Sequence, residues 1–173
     1  MPEAGKAALP RLLLWAGVAL AIFAADQWTK QIIVRALAEN GGVRVTPFFS
    51  LVLAYNPGAA FSFLAGAGGW QRELFIVIAA VASTVIAWMV IRHPGDTVFC
   101  AALALILGGA IGNLYDRVTL GKVIDFLLFH YGEHAFPAFN AADSAITVGA
   151  GLLILDSLRN KGPARGGRGS MPQ

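Results

Sequence analysis

Two long apolar runs without any charged residue, at positions 74–91 and 98–115, most constrain what this chain can fold into. An α-helix needs about 20 apolar residues to cross the hydrocarbon core of a bilayer, so each run predicts one membrane span. Between them, positions 92–96 read Arg-His-Pro-Gly-Asp, and the proline and glycine there stop a helix. The two spans are therefore expected to form an antiparallel hairpin.

Two further segments, residues 11–30 and 140–158, are also long and apolar enough to span a membrane. Asp26 and Lys30, at the end of the first of these, are four residues apart and share a helix face, so we interpret them as an interfacial ion pair. The chain is 57% hydrophobic and only 13% charged, about half the charged fraction of ordinary soluble domains. The sequence thus predicts an all-α membrane protein with four transmembrane helices.

One integral membrane domain over residues 1–158 and a disordered basic tail over residues 159–173 are expected from this pattern. The first apolar run also allows a second interpretation, a secretory signal peptide cleaved near residues 19–21.

With four spans, both termini lie on one side of the membrane. The tail carries Arg159, Lys161, Arg165 and Arg168 and no acidic residue. The positive-inside rule therefore places both termini in the cytoplasm, and the tail favours contact with anionic lipid headgroups over an RGG-like contact with nucleic acid.

The first outer loop, residues 31–73, is too long for a simple connector. Short apolar and β-branched runs at residues 43–46, 48–53 and 59–64 flank the turn sequence Asn56-Pro57-Gly58. We therefore expect a small extracytoplasmic β-sheet in this loop.

Two aspartates, Asp125 and Asp143, lie among apolar residues near the predicted outer membrane face. An ionised carboxylate is costly to remove from water, so a chain keeps one there only if it is paired or used. Asp125 has a simpler interpretation as the ion-pair partner of Lys122 or Arg117. Asp143 has one as part of a helix N-terminus, since an asparagine stands three residues before it. Two nearby carboxyl groups in unlike surroundings would split their titration, leaving a charged one to activate water and a protonated one to polarise a scissile carbonyl.

Polar and small residues on the third predicted span point toward the same region. Asn113 and Arg117 are four residues apart and share a helix face. Arg117 is either an interfacial anchor or a support for Asp125 or a substrate carbonyl. Gly108 and Gly112 lie on a small-residue face, which is typical of close helix packing.

A competing metal site is suggested by His130, Glu133 and His134, which match the H-x-x-E-H pattern of one zinc-protease class. That pattern needs a helix to bring both imidazoles to one face. Gly132 inside the motif and Pro137 shortly after it make a helix unfavourable. We therefore expect a solvated interfacial loop here and no metal.

Five motifs in this chain, taken together and in this order, resemble those of the bacterial lipoprotein signal peptidase (type II signal peptidase) family. The motifs are Asp26-Gln27-x-x-Lys30, Tyr55-Asn56-x-Gly58-Ala59-Ala60-Phe61-Ser62, Gly108-Gly109-x-x-Gly112-Asn113-x-x-Asp116-Arg117, Val123-x-Asp125-Phe126 and Phe139-Asn140-x-Ala142-Asp143. The single departure is Pro57, which stiffens its turn without removing a matched side chain.

The resemblance implies an aspartic endopeptidase of the bacterial inner membrane, with no cofactor and no metal. Its partners would be membrane lipids and diacylglyceryl-modified prolipoproteins, whose signal peptide it would remove just before the lipidated cysteine; nucleic acid is not implied. By motif position, Asp125 and Asp143 would be catalytic. The substrate-binding or supporting residues would be Asn56, Asn113, Arg117 and Asn140, and the structural or accessory ones Asp26, Lys30, Gly108 and Gly112. A non-enzymatic transporter or scaffold, using the two aspartates as a cation or proton site, is the alternative from another class.

Overall fold

The computed structural model describes residues 3–58, 70–132 and 134–160. Within these residues the helices are α1 (Glu3–Ala36), α2 (Trp70–Arg92), α3 (Thr97–Leu120) and α4 (Ala141–Asn160). The strands are β1 (Gly42–Thr46), β2 (Phe49–Asn56), β3 (Val123–Tyr131) and β4 (His134–Ala135). The predicted tail beyond residue 160 lies outside the described residues.

All four helices contain a segment long and apolar enough to cross a membrane, which confirms the predicted number. These segments are Ala8–Ala36, Arg72–Arg92, Thr97–Leu120 and Ala141–Arg159. Large apolar side chains such as Val77, Val81 and Trp88 are more than half exposed, as a lipid-facing surface requires. Helix α1 continues through residues 31–36, which the sequence prediction assigned to the outer loop. It does so because Ile33 is buried against Leu53 of β2, so the last turn has a packing partner.

Helix α3 packs against each of the other three helices. The glycines on its predicted small-residue face explain this position. A Cβ atom on Gly108 would lie 2.5 Å from the carbonyl oxygen of Ala19 in α1, and one on Gly109 would lie 2.5 Å from that of Ala142 in α4. The close-packing interpretation is therefore confirmed.

The α2–α3 connection is the tight turn that the sequence predicts. Helix α2 ends at Arg92, and Asp96 caps the N-terminus of α3 by accepting a hydrogen bond from the backbone N–H of Phe99 at 3.1 Å. The antiparallel hairpin of spans is confirmed.

The sheet is antiparallel with strand order β1-β2-β3-β4. Strands β1 and β2 confirm the predictions at residues 43–46 and 48–53, whereas the predicted strand at 59–64 lies outside the described residues. Strand β3 was not predicted, and it comes from the segment after α3 rather than from the first outer loop. Its sequence, VIDFLLFHY, is apolar on both faces at its start, so the period-two alternation that marks a half-exposed strand is missing.

Beyond β3 the chain turns back on itself. Gly132 has a φ of 59°, and β4 then pairs with the end of β3. Phe139 returns to the middle of β3: its carbonyl oxygen accepts from the N–H of Phe126 (2.9 Å) and of Leu127 (2.8 Å). This return pairing sets the start of α4 directly beside Asp125.

Candidate active site

The N-terminus of α4 is closed by a reciprocal pair of hydrogen bonds between Asn140 and Asp143. The backbone N–H of Asp143 donates to Oδ1 of Asn140 (2.9 Å), and the backbone N–H of Asn140 donates to Oδ2 of Asp143 (3.2 Å). This is the arrangement of a capping box, with Asp in place of the usual Glu or Gln. The N-cap interpretation of Asp143 is confirmed, and the helix dipole there favours a negative charge.

Asn140 also connects this helix to Asp125 on β3. Its side chain is fully buried, and Nδ2 donates to Oδ1 of Asp125 at 2.8 Å. One asparagine thus contacts both aspartates, one through its side chain and the other through the capping box. The two carboxyl groups belong to one site.

The second oxygen of Asp125 faces Asn56, at the end of β2. Asn56 Nδ2 donates to Asp125 Oδ2 at 3.1 Å. The amide cannot turn over freely, because Asn56 Oδ1 accepts from the backbone N–H of Gly58 at 2.9 Å. Gly58 has a φ of 100°, a conformation that only glycine adopts readily.

Burial raises the pKa of Asp125 to about 7, and the negative charge of Asp143 adds to this effect. The amides of Asn56 and Asn140 and the charge of Lys30 act in the opposite direction. Asp125 is 3% exposed, so its charged form loses most of its hydration. The protonated form of Asp125 is therefore far more populated at neutral pH than that of an ordinary aspartate.

Asn113 of α3 holds the other carboxylate. Its Nδ2 donates to Asp143 Oδ1 at 2.7 Å, while its Oδ1 accepts from Asn140 Nδ2 and from Lys30 Nζ, both at 3.1 Å. These two donors fix the orientation of the Asn113 amide. The Asn113 side chain therefore directs its N–H group, and not its carbonyl oxygen, toward the Asp143 carboxylate.

An enclosed ionic cluster lies beneath the two aspartates. Lys30 Nζ is 2.7 Å from Asp26 Oδ2 and 2.8 Å from Asp116 Oδ2, and all three side chains are at most 1% exposed. The predicted Asp26–Lys30 ion pair is confirmed; it is buried between α1 and α3 and is shared with a second carboxylate. Asp116, which sequence reasoning left without a role, follows Asn113 by three residues and so lies on the same helix face.

The cluster accepts hydrogen bonds from both backbone segments that carry Asp125 and Asp143. Asp26 Oδ1 accepts from the backbone N–H of Ala142 (2.9 Å), the residue before Asp143. Asp116 Oδ2 accepts from the backbone N–H of Ile124 (3.2 Å), the residue before Asp125. A Cβ atom on Gly112 would lie 2.6 Å from Asp26 Oδ2, so this glycine makes room for the cluster.

Arg117 lies beside the site, but among the described residues it forms no ion pair with either aspartate. Its Nη1 donates to the backbone carbonyl oxygen of Asn113 (3.1 Å), and its guanidinium lies 5.4 Å from the centre of the Phe75 ring. Its charge interacts with those of Asp143 and Asp125. Arg117 therefore contacts the backbone of Asn113, and its positive charge lies near both carboxyl groups.

The simpler interpretation of Asp125, as an ion-pair partner of Lys122 or Arg117, is wrong. Lys122 Nζ lies 3.8 Å from Glu39 and 3.6 Å from the centre of the Tyr55 ring. The Lys122 side chain is thus directed toward Tyr55 on β2 and toward Glu39, which follows α1. Asp125 is instead held by neutral amides.

The histidine motif does not form a helix. His130 lies on β3 and His134 on β4, and His130 Nε2 is 2.9 Å from Ser50 Oγ on β2. The expectation of a loop was wrong, because backbone pairing between the two strands orders this segment. Glu133 lies outside the described residues, and within those described no three His, Cys, Asp or Glu side chains are grouped as for a metal ion.

Two cavities give access to the site from different sides. One of about 250 Å³ lies beside Asp125 and is lined by residues of the β2 turn and of the return segment, including Asn56 and Ala138. Another of about 490 Å³ lies beside Asp143 and is lined mainly by aromatic and aliphatic groups, among them Phe136 and Val148. Both carboxyl groups can thus meet a bound molecule.

Comparison with known proteins gives a consistent result. Residues 18–159 match the family model described as signal peptidase (SPase) II. A lipoprotein signal peptidase of Cupriavidus taiwanensis is 55% identical over 147 residues, covering 85% of this chain and 84% of that protein. One of Paraburkholderia phytofirmans is 55% identical over 154 residues, covering 89% and 90%.

Solved structures share the fold of this chain. A bacterial membrane enzyme determined by the in meso method at 2.3 Å superposes with a TM-score of 0.76 at 28% identity, covering 92% of this chain and 94% of that one. A second such enzyme, at 1.9 Å, gives a TM-score of 0.75 at 30% identity, covering 86% and 94%.

Proposed function

The chain belongs to the signal peptidase II family, and on this premise we propose that it is a membrane aspartic endopeptidase that removes the signal peptide from diacylglyceryl-modified prolipoproteins, cutting before the lipidated cysteine. The observation that carries the proposal is the position of Asn140. It donates to Asp125 and exchanges two hydrogen bonds with Asp143, so two carboxyl groups in unlike surroundings share one site.

The unlike surroundings assign the two roles. Asp143, at a helix N-terminus with an N–H on each oxygen, is the charged base that takes a proton from the attacking water. Asp125, with its raised pKa, is the acid that donates a hydrogen bond and then its proton to the scissile carbonyl oxygen. When the resulting diol collapses, one hydroxyl proton returns to Asp125, and Asp143 passes its proton to the leaving nitrogen. The pair ends as it began.

The remaining polar residues keep this pair in place. Asn56 and Asn140 hold Asp125, and Asn113 holds Asp143. The guanidinium of Arg117 supplies positive charge near the two carboxyl groups, with which it interacts electrostatically. Asp26 and Lys30 anchor the segments that carry the pair, while Gly108 and Gly112 allow the helices to approach.

Lipid modification of the substrate suits a site at the end of membrane-spanning helices. Acyl chains can stay in the bilayer while the scissile bond reaches the two carboxyl groups, and the cavity beside Asp143 offers an apolar wall. We place the protein in the bacterial inner membrane as one domain over residues 1–158, with both termini cytoplasmic and the active site near the outer face. The basic tail, residues 159–173, contacts anionic lipids and not nucleic acid, and no cofactor takes part.

A reconstituted assay tests this function. The purified protein in lipid is given one prolipoprotein with and without its diacylglyceryl group, and the products are identified by mass spectrometry. We expect cleavage before the cysteine of the lipidated form alone, unaffected by a metal chelator or by His130→Ala. Equal cleavage of both forms would refute the substrate assignment, and loss of activity with chelator or with His130→Ala would favour a metalloprotease.

A further inference from the structure

The first two turns of α2 contact the active site through residues that none of the five sequence motifs contains. The ring of Phe75 lies against Gly58: a Cβ atom on that glycine would be 2.7 Å from both Cδ2 and Cε2 of the ring. The same ring carries the guanidinium of Arg117, whose Cζ is 5.4 Å from the ring centre. One aromatic side chain therefore touches two supports of the site.

The Gly58 contact leads to Asp125. The backbone N–H of Gly58 donates to Asn56 Oδ1, which leaves Asn56 Nδ2 to donate to Asp125 Oδ2. A displacement of Gly58 would release the Asn56 amide. Phe75 packs on the turn that prevents this.

The Arg117 contact leads to Asp143. Arg117 Nη1 donates to the carbonyl oxygen of Asn113, and the Asn113 side chain donates to Asp143. A cation over an aromatic face is attracted by the ring quadrupole, and the attraction is larger where water is partly excluded. The Phe75 ring shields one face of the guanidinium from water and keeps the guanidinium beside the site.

Arg72 fixes the backbone of the same region. Its Nε donates to the carbonyl oxygen of Arg117 (3.1 Å) and its Nη2 to that of Val118 (3.2 Å). Both carbonyls belong to the last turn of α3, and that of Arg117 also accepts from the backbone N–H of the C-cap residue Gly121 at 3.1 Å. A cation at a helix C-terminus is also favoured by the helix dipole.

We propose that Phe75, assisted by Arg72, is a positioning residue that couples the Asn56–Gly58 turn to Arg117, so that Asp125 and Asp143 are held in place together. This inference rests on the proposed function, because it assigns a kinetic consequence to the two aspartates. It makes α2 a contributor to the active site even though no catalytic group lies on that helix.

The test compares variants that keep or remove the ring. Phe75→Leu retains an apolar side chain but loses the π-face, whereas Phe75→Tyr retains it. We expect Phe75→Leu to lower kcat about fivefold with little change in KM, the size that a partly buried cation–π contact allows, and Phe75→Tyr to keep the wild-type rate. The matched control is Trp88→Leu, which removes the ring that Arg92 covers at 5.5 Å at the other end of α2 and should leave kcat unchanged.

A double-mutant cycle separates positioning from general packing. If Phe75 acts through the cation–π contact with Arg117, Phe75→Leu has no further effect on the single-turnover rate in an Arg117→Gln background, which carries no cation, whereas Trp88→Leu and Arg117→Gln combine independently. Thermal unfolding of each variant checks that the protein remains folded. The inference would be overturned if the rate losses of the Phe75→Leu and Arg117 variants multiplied in the double variant. Equal rates for Phe75→Leu and Phe75→Tyr would overturn it as well. Activity in Asp125→Asn would instead overturn the proposed function itself.

Discussion

At the scale of single residues, two identical functional groups are made unequal by what surrounds them. Asp125 is buried on a strand and accepts hydrogen bonds from two neutral side-chain amides. Asp143 is half-buried at the start of a helix and accepts from a backbone N–H and from Asn113. Burial penalises the charged form of the first, whereas the helix terminus favours it in the second. The proposed division into acid and base rests on these positions.

The pH dependence of cleavage follows from the raised pKa of Asp125. Its acid form is present below a pH of about 7 and is lost as the pH rises through that value. We therefore expect kcat/KM to fall above pH 7, approaching about tenfold per pH unit, because only the protonated fraction is active. Measurements of kcat/KM from pH 5 to about pH 9 in lipid check this. The control is Asp96→Asn, which keeps the N-cap of α3 and should show the same pH profile as the wild type. A rate that stays constant up to pH 9 would assign the acid role elsewhere.

At the scale of elements, the sequence predicted those whose signal is local. The runs at 74–91 and 98–115 predicted α2 and α3 because length and apolarity alone define a span, and Asn140 three residues before Asp143 predicted the start of α4. Strand β3 escaped prediction because it is covered on both sides and shows no alternation. Its identity as a strand depends on pairing with β2, from a part of the chain some 70 residues earlier.

Close packing of α3 on α1 gives a prediction at this scale. Gly108→Ala places a methyl group 2.5 Å from the Ala19 carbonyl oxygen and 2.8 Å from Cβ of Ile22, so one helix must shift. We expect a loss of about 1–3 kcal/mol in the free energy of unfolding, the usual cost of overpacking. Thermal unfolding in detergent measures this loss.

The control for this prediction is Gly17→Ala on α1, where an added Cβ has no atom within 4 Å. Its stability should equal or slightly exceed that of the wild type, because alanine is the better helix former. Equal stability of the Gly108 and Gly17 variants would contradict the packing described for α1 and α3.

At the scale of the whole molecule, the site is assembled from α1, the β2 turn, α3, β3 and the start of α4. The motifs named candidate residues, because each motif is a short stretch of sequence, and hydrogen bonds bring Asn56, Asn113, Asp125, Asn140 and Asp143 together. They did not predict that Asp116 and Asp26 both pair with Lys30. Nor did they predict that the backbone N–H of Ile124 donates to Asp116 and that of Ala142 to Asp26. Such partners are set by how distant segments pack, which a single sequence does not encode locally.

Membrane orientation is a prediction for the whole chain. Arg44 on β1 and Arg159 at the end of α4 are both exposed, and Cys100 is fully buried, so an introduced cysteine is the reactive one. In spheroplasts, a membrane-impermeant maleimide should label Arg44→Cys directly and Arg159→Cys only after the membrane is disrupted. The reverse pattern would place the two aspartates on the cytoplasmic side.

The most direct test of the account is the single-turnover rate of Asp125→Asn and Asp143→Asn on a diacylglyceryl-modified prolipoprotein in lipid, beside the wild type and the Asp96→Asn control. Asparagine preserves size but can neither accept nor deliver the required proton. The account predicts that each substitution lowers the rate by about a hundredfold or more, since positioned acid–base groups contribute on that order, while Asp96→Asn cleaves at the wild-type rate. A wild-type rate in either Asp125→Asn or Asp143→Asn would contradict the account.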